Sequence, residues 1–386
     1  MISTRRARNT TFAALAAMAS LSLVACGSDP GGSTAAPGSS SSAAGSSSAN
    51  ASGLTCPSGK LNAEGSTAQA NAITEVIADY QSACNNASTI EYNPTGSGAG
   101  IKSFYNNLVD LAGSDSALKT AAVDGVVEAD KAKERCGGNP AWNIPMVVGP
   151  IAFAYNVDGV DKLVLSAEAL AKIFNGSIKT WNDPAIAKLN PGVTLPSAPI
   201  TVFFRSDESG TTENTTKFLA AAGHGAWTKE QAKAWTGTGE GKNKSSGVAE
   251  AVSSTKNSIS YMEWSYARDN KLPIAQLSSA SGSGATELTG EAVGKAVSEA
   301  TVAGTGNDLA LKLNYEPKDS GAYPALLVTY EVVCSKGLDA DKTALVKDFL
   351  TFFSSADEQQ ALQDLGYAPL PGDLQTKVKT AVTAIS

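Results

Sequence analysis

Three times in the first part of the sequence that can fold, a short apolar run ends in a small polar corner and is followed by apolar residues at helical spacing. Leu61-Asn62-Ala63-Glu64 runs into Gly65-Ser66-Thr67-Ala68, after which Ala70, Ile73, Val76, Ile77 and Tyr80 share one helical face. Thr89 to Asn93 alternates Ile90 and Tyr92 as a strand does and ends at Thr95-Gly96-Ser97-Gly98-Ala99-Gly100. Ile101, Phe104, Tyr105 and Leu108 then form the next helix face. Val109 to Ala112 begins a third strand, which ends at Gly113-Ser114-Asp115-Ser116-Ala117. The plan returns in the middle of the chain. There Ile200, Val202, Phe203 and Phe204 form a buried strand, Arg205-Ser206-Asp207-Glu208-Ser209-Gly210-Thr211 a corner, and Thr212 to Ala222 a helix.

Strands alternating with helices predict an α/β fold with largely parallel sheets, whose ligands bind at the carboxyl ends of the strands. All four corners fall at such ends. Met146 to Tyr155 is a long apolar run, interrupted by Gly149-Pro150, and reads as a crossover to a second domain; Tyr323 to Cys334 reads as the return. Between them Leu163 to Leu165 and Ile259 to Met262 read as strands, and Leu170 to Phe174, Val248 to Val252 and Gly290 to Ala300 as helices. Lys342 to Phe353 and Leu374 to Ile385 read as closing helices. The expected division is a discontinuous α/β domain of residues 55–147 and 323–386, a second α/β domain of 148–322, and two crossing segments serving as a hinge.

The corner at 205–211 has the chemistry of an anion site. A helix start leaves backbone N–H groups unpaired and favours negative charge, and the planar guanidinium of Arg205 can offer two parallel donors to an oxyanion. The same residues are also compatible with an ordinary N-cap serine beside a surface arginine.

The N-terminus changes the picture of where the chain works. Arg5, Arg6 and Arg8 precede an apolar stretch from Phe12 to Ala25, the layout of a secretory signal, too short for a convincing membrane span. Leu23-Val24-Ala25-Cys26-Gly27 resembles the lipobox of bacterial lipoproteins, which implies cleavage before Cys26 and lipidation of its sulfur. The segment 27–53 is almost wholly Gly, Ser, Ala, Pro, Thr and Asn and reads as a flexible tether, with a coil dimension on the order of 30 Å. The leader is thus 1–25 and the lipidated cysteine plus tether 26–54.

Cysteine usage agrees with export, because Cys56, Cys84, Cys136 and Cys334 remain as an even set. Four cysteines allow three connectivities, and the sequence does not choose among them. The reading favours Cys56 with Cys84, which flank one strand-helix unit, and hence Cys136 with Cys334. No Cys-x-x-Cys spacing occurs and His224 is the only histidine, so neither a metal nor another cofactor is expected. Removing the three leader arginines takes the formal charge from −7 to about −10. An acidic chain without a basic patch is not expected to bind nucleic acid. Any anion site in it must work through local dipoles and a few aimed donors.

Taken in order, Gly65-Ser66-Thr67-Ala68, Thr95 to Gly100, Ala112-Gly113-Ser114-Asp115 and Arg205 to Thr211 resemble the binding loops of the phosphate-binding protein of the bacterial phosphate ABC transporter. Ile173 to Pro184 and Ile259-Ser260-Tyr261-Met262-Glu263-Trp264-Ser265-Tyr266-Ala267 share the likeness, which extends from about Lys60 to the C-terminus. The resemblance implies a type II periplasmic-binding-protein-like fold with the ligand in the interdomain cleft. It implies hydroxyl donors in Thr67, Ser97, Ser209 and Thr211, backbone N–H donors in Ala68 and Gly210, and positive charge from Arg205, oriented by Asp207. The family usually has phenylalanine at the position of Ala68; a contact made through the backbone survives that change.

Asp115 would make the site selective. An ionised carboxylate can only accept hydrogen bonds, and phosphate near neutrality always carries a P–OH whereas sulfate carries none. The implied function is a lipid-anchored, extracytoplasmic, monomeric binder of inorganic phosphate that hands it to ABC permease subunits. The alternatives are a binder of another tetrahedral oxyanion and, more remotely, a phosphate-ester hydrolase. Against an enzyme stand the absence of a Gly-x-Ser-x-Gly elbow and the single imidazole. The stretch Gly237 to Ser246 likewise lacks the pattern of a nucleotide loop.

Overall fold

Strand β1 (Gly59–Gly65), helix α1 (Ala70–Ala83), β2 (Ser88–Pro94), α2 (Ser97–Tyr105) and β3 (Leu111–Ser114) realise the first three predicted units within a few residues. These come from a computed structural model that describes residues 53–278 and 284–386. The leader, Cys26 and nearly all of the tether lie outside the described residues. Then follow α3 (Glu128–Arg135), β4 (Ala141–Asn156), β5 (Val164–Leu165), α4 (Ala167–Phe174), α5 (Pro184–Ala187), β6 (Thr201–Arg205) and α6 (Gly210–Ala222). After these come β7 (Glu240–Lys242), α7 (Lys244–Ser254), β8 (Ser258–Glu263), α8 (Trp264–Asp269), β9 (Gln276–Ser278), β10 (Ala285–Thr286) and α9 (Gly290–Ser298). The chain closes with β11 (Thr301–Val302), β12 (Leu311–Lys312), β13 (Leu326–Cys334), α10 (Ala340–Phe353), α11 (Ala356–Ala361) and α12 (Gly372–Thr383).

Eight strands form one continuous sheet in the order β2-β1-β3-β13-β4-β8-β6-β7. The outer groups β2-β1-β3 and β8-β6-β7 are parallel, as the alternating pattern requires. The two strands between them, β13 and β4, are antiparallel to each other and to their other neighbours. Gly149-Pro150 does not interrupt β4, contrary to the sequence pattern. It marks a change of partner: residues 141–150 pair with β13, and 151–156 pair with β8. Proline lacks an N–H, and a change of partner is a place where a strand tolerates that loss.

β4 and β13 are buried nearly throughout and read as unbroken apolar runs because both faces are covered. Tyr80 of α1 meets Phe349 and Phe352 of α10 at ring centroid distances of 5.5 and 5.6 Å, which closes one side of the first sheet group. Ile101, Phe104, Ala132, Val332 and the half-cystines Cys136 and Cys334 form a smaller core beneath α2 and α3. The disulfides are Cys56–Cys84 and Cys136–Cys334, the pairing that the strand-helix argument favoured.

Candidate anion-binding site

β1 and β3 lie so close at their carboxyl ends that a Cβ on Gly65, which has φ +140°, would stand 2.0 Å from the Gly113 carbonyl oxygen. That approach sets Ser66 beside Asp115. Ser66 Oγ donates to Asp115 Oδ1 at 2.5 Å, Thr329 Oγ1 of β13 donates to the same oxygen at 2.7 Å, and Ser97 Oγ donates to Oδ2 at 2.9 Å. Asp115 is 3% exposed, and burial pushes its pKa up to about 6. The three hydroxyls work against that rise and the charge of Glu263 adds to it. Ala68 N donates back to Ser66 Oγ at 3.0 Å, and Thr67 and Ala68 are both buried in the same corner.

On the other side β6 delivers Arg205, which is 2% exposed. Its Nε and Nη2 donate to Asp207 Oδ1 and Oδ2 at 2.7 and 2.5 Å, and Nη1 donates to Ser245 Oγ at 3.0 Å. Three of its five N–H bonds are thereby used and two remain. Burial alone would pull the guanidinium pKa down, but the bond and charge of Asp207 outweigh it and raise the pKa above its ordinary value. Burial opposes ionisation of Asp207 too, yet its Arg205 contacts hold its pKa low, so the pair stays charged. Ser209 caps α6, its Oγ accepting from Thr212 N at 3.2 Å, so the helix starts at Gly210 rather than at Thr212. The N-cap reading of Ser209 is borne out, and a capping hydroxyl still has its own proton to give, but the arginine beside it is buried rather than on the surface.

Glycine lets the two sides touch. A Cβ on Gly210 would sit 2.5 Å from Asp115 Cβ and 2.7 Å from Ser97 Oγ. Asn214 Nδ2 reaches across from α6 to the Asp115 carbonyl at 2.7 Å, and Gly98 N donates to the Glu208 carbonyl at 3.1 Å. Thr67 Oγ1 and Ser245 Oγ are hydrogen-bonded at 2.8 Å, linking the first corner to Arg205. Thr67, Ala68, Ser97, Asp115, Arg205, Ser209, Gly210 and Thr211, all buried, and the half-buried Asp207 therefore belong to one cluster joined by direct contacts or chain neighbours.

The starts of α2, α6 and α7, the guanidinium and the hydroxyls all favour a small oxyanion. A buried carboxylate such as Asp115 can accept a proton from an oxyanion that carries one and repels one that does not.

Four participants escape the sequence reading. Ser245, second residue of α7, follows the short strand β7 in the corner Asn243-Lys244-Ser245-Ser246, which repeats the strand-corner-helix plan. Glu263 ends the apolar strand β8, and its Oε1 accepts from Thr211 Oγ1; its Oε2 is buried without a hydrogen-bond partner among the described residues. Thr329 and Glu331 are polar residues inside the apolar run of β13. Burial pushes Glu331 up to about 8; Gln69 sits beside it and partly offsets this without a well-formed hydrogen bond to either carboxylate oxygen. Isolated polar residues in an otherwise apolar strand were the available signal. His224 stands on an exposed turn after α6 with φ 48°, away from this chemistry.

Residues 40–357 match the model of the PBP superfamily domain. The phosphate-binding protein PstS 3 of Mycobacterium tuberculosis is 45% identical over 329 residues, 84% of this chain and 86% of that one. The phosphate-binding protein PstS 2 of the same species is 42% identical over 385 residues, 98% and 99% of the two chains. Among solved structures, the high-affinity periplasmic phosphate-binding protein PfluDING bound with phosphate superposes with a TM-score of 0.68 at 24% identity, covering 83% of this chain and 93% of that one. That likeness shows the fold, a mixed α/β, two-domain periplasmic-binding architecture of type II. On the family match and these identities together, the chain belongs to the PBP superfamily, in the family of phosphate-binding proteins that these relatives form.

Proposed function

We propose that this chain captures inorganic phosphate, one ion per molecule, and delivers it outside the cytoplasm to the permease of an ABC transporter without performing chemistry on it. The observation that carries the reading is Asp115, a buried carboxylate set among hydroxyl groups and against the start of α6, in the same cluster as a buried arginine. Such an acceptor repels a fully deprotonated oxyanion and rewards one with a P–OH. In this reading Thr67, Ser97, Ser209 and Thr211 give hydroxyl protons to the bound ion, Ser97 and Thr211 turning theirs from Asp115 and Glu263 as it arrives; Ala68 and Gly210 offer backbone N–H groups, and Arg205 gives its two remaining donors. Asp207 keeps the guanidinium aimed. What the relatives are named for supports phosphate over other tetrahedral ions.

The two domains divide at β4 and β13, and the partner change at Gly149-Pro150 supports a hinge there. The chain acts as a monomer, held at the outer face of the cell membrane by lipid on Cys26. A mature N-terminus mapped by mass spectrometry to any residue other than an acylated Cys26 would refute the anchor. Calorimetry with phosphate and with sulfate tests the function. Heat and a one-to-one stoichiometry with phosphate are expected, with sulfate bound a thousandfold more weakly on the order of several kcal/mol of unpaired buried charge. No binding of phosphate would overturn the function.

A further inference from the structure

Five residues join into a ring of hydrogen bonds that passes twice between the two domains. Ser209, the cap of α6, donates its backbone N–H to the Lys233 carbonyl at 3.0 Å. Lys233 Nζ donates to Glu128 Oε1 at 2.7 Å, and Glu128 Oε2 accepts from Lys119 N at 2.9 Å. Lys119 Nζ donates to Glu213 Oε1, and Glu213 N returns to the Ser209 carbonyl at 3.1 Å. With the domains divided at β4 and β13, Lys119 on the loop after β3 and Glu128 at the start of α3 lie in the first, and the other three in the second. Glu213 grips that loop twice, since its Oε2 accepts from Ser116 Oγ at 2.8 Å, one residue beyond Asp115. It is completely buried. Burial works against its charge, but Lys217, one turn along α6, and Lys119 bring its pKa to about 2 and keep it ionised. The side chains of Lys233 and Glu128 are only 11% and 16% exposed. Lys102 and Glu208 also pair across the two domains, but both are half exposed, where an ion pair contributes little.

We propose that this ring is a latch: Glu213 and Lys233 are positioning residues that hold the closed domains together over bound phosphate without touching it, and so set how long the ion stays. The inference rests on the phosphate reading and the hinge above, and adds to them what resists reopening. Opening the cleft parts both lysine–carboxylate pairs and leaves Glu213, Lys119, Glu128 and Lys233 to be hydrated anew. Closing restores the pairs only after the ion has entered, so their strength bears on release far more than on capture. The ring reaches the site through Ser209 on one side and through Ser116, beside Asp115, on the other, so it draws the two sides of the anion site together as one unit.

The test loads the full chain with radiolabelled inorganic phosphate and follows its release into an excess of unlabelled phosphate; rapid filtration gives the association rate, and calorimetry compares phosphate with sulfate. Glu213→Gln and, at the other crossing, Lys233→Met are each expected to speed release about tenfold or more, while association changes by less than about threefold. Lys233→Met serves if the first variant does not fold. The preference for phosphate over sulfate is expected to stay as in wild type, since no group facing the ion is altered, and this separates a latch from a distorted site. In a Glu128→Gln background Lys233→Met is expected to add little, because the partner it loses is already gone. Wild type that holds phosphate, with variants that release it at the wild-type rate, overturns the inference and leaves the function standing. Faster release matched by an equal loss of preference over sulfate, or a loss of affinity carried by association alone, likewise overturns it. Wild type that binds no phosphate overturns the function and the inference together.

Discussion

Ser97 and Asp115 hold each other from both ends: Ser97 Oγ donates to Asp115 Oδ2 at 2.9 Å and accepts from Asp115 N at 3.1 Å. The carboxylate is thus fixed by its own backbone as well as by its neighbours, and it cannot swing away from an ion it dislikes. In the proposed function, selectivity for phosphate rests on that rigidity. We predict that Asp115→Asn costs phosphate affinity about tenfold, the order of one charged hydrogen bond, while the preference for phosphate over sulfate falls by about a hundredfold or more. Competition calorimetry with both ions reads the ratio; an unchanged ratio would sink the selecting role of Asp115.

Arg205 spends three N–H bonds on Asp207 and Ser245, which aims the remaining two. Lysine keeps the charge and loses the fork. Arg205→Lys is expected to weaken phosphate binding by about a hundredfold, roughly 2–3 kcal/mol, with Asp207 left partly unpaired. Equal affinity in the lysine variant would mean that charge alone matters at this position.

The four corners were legible in the sequence because each is local: a strand, a turn and a helix start within ten or so neighbours. Asp115 and Arg205 could be singled out for the same reason. The partners that complete the site were not legible, because sheet register brings them in. Thr329 reaches Asp115 only because β13 lies against β3, with Tyr330 opposite Ser114. Glu263 reaches Thr211 only because β8 runs parallel to β6. Ser245 depends on β7 joining the same sheet edge. The unbroken course of β4 through Gly149-Pro150 also depended on knowing two partners at once.

The disulfides close loops of very different length, with sequence separations of 28 and 198. On loop entropy the longer one stabilises more, by about 5 kcal/mol against about 4 kcal/mol. We predict that Cys136→Ser with Cys334→Ser lowers the denaturation midpoint more than Cys56→Ser with Cys84→Ser. The N-terminal segment keeps a second hold in the latter variant, because Asp348 accepts from Thr55 N at 2.8 Å and from Tyr80 Oη at 2.9 Å. Chemical denaturation of the two double variants decides the order.

Two buried carboxyls near the site make stability depend on pH in the direction opposite to a salt-bridged acid. Burial raises Asp115 to about 6 and Glu331 to about 8, so the folded chain keeps both protons longer than the unfolded chain does. Their contribution is complete below the unfolded carboxyl pKa of about 4 and is lost as pH climbs through about 6 and then about 8. Glu213 runs the other way. Burial would raise its pKa, but Lys217 and Lys119 bring it to about 2, so its contribution is present above about 4 and lost as pH falls toward about 2. The melting temperature without phosphate is therefore expected to peak on the mildly acidic side and fall toward pH 8, and Glu331→Gln should remove the later part of that fall. Thermal scans in about half-unit pH steps check this. A melting temperature that instead rises steadily from pH 5 to 8, in wild type and variant alike, would show that Glu331 is ionised in the folded protein and that an unseen partner offsets its burial.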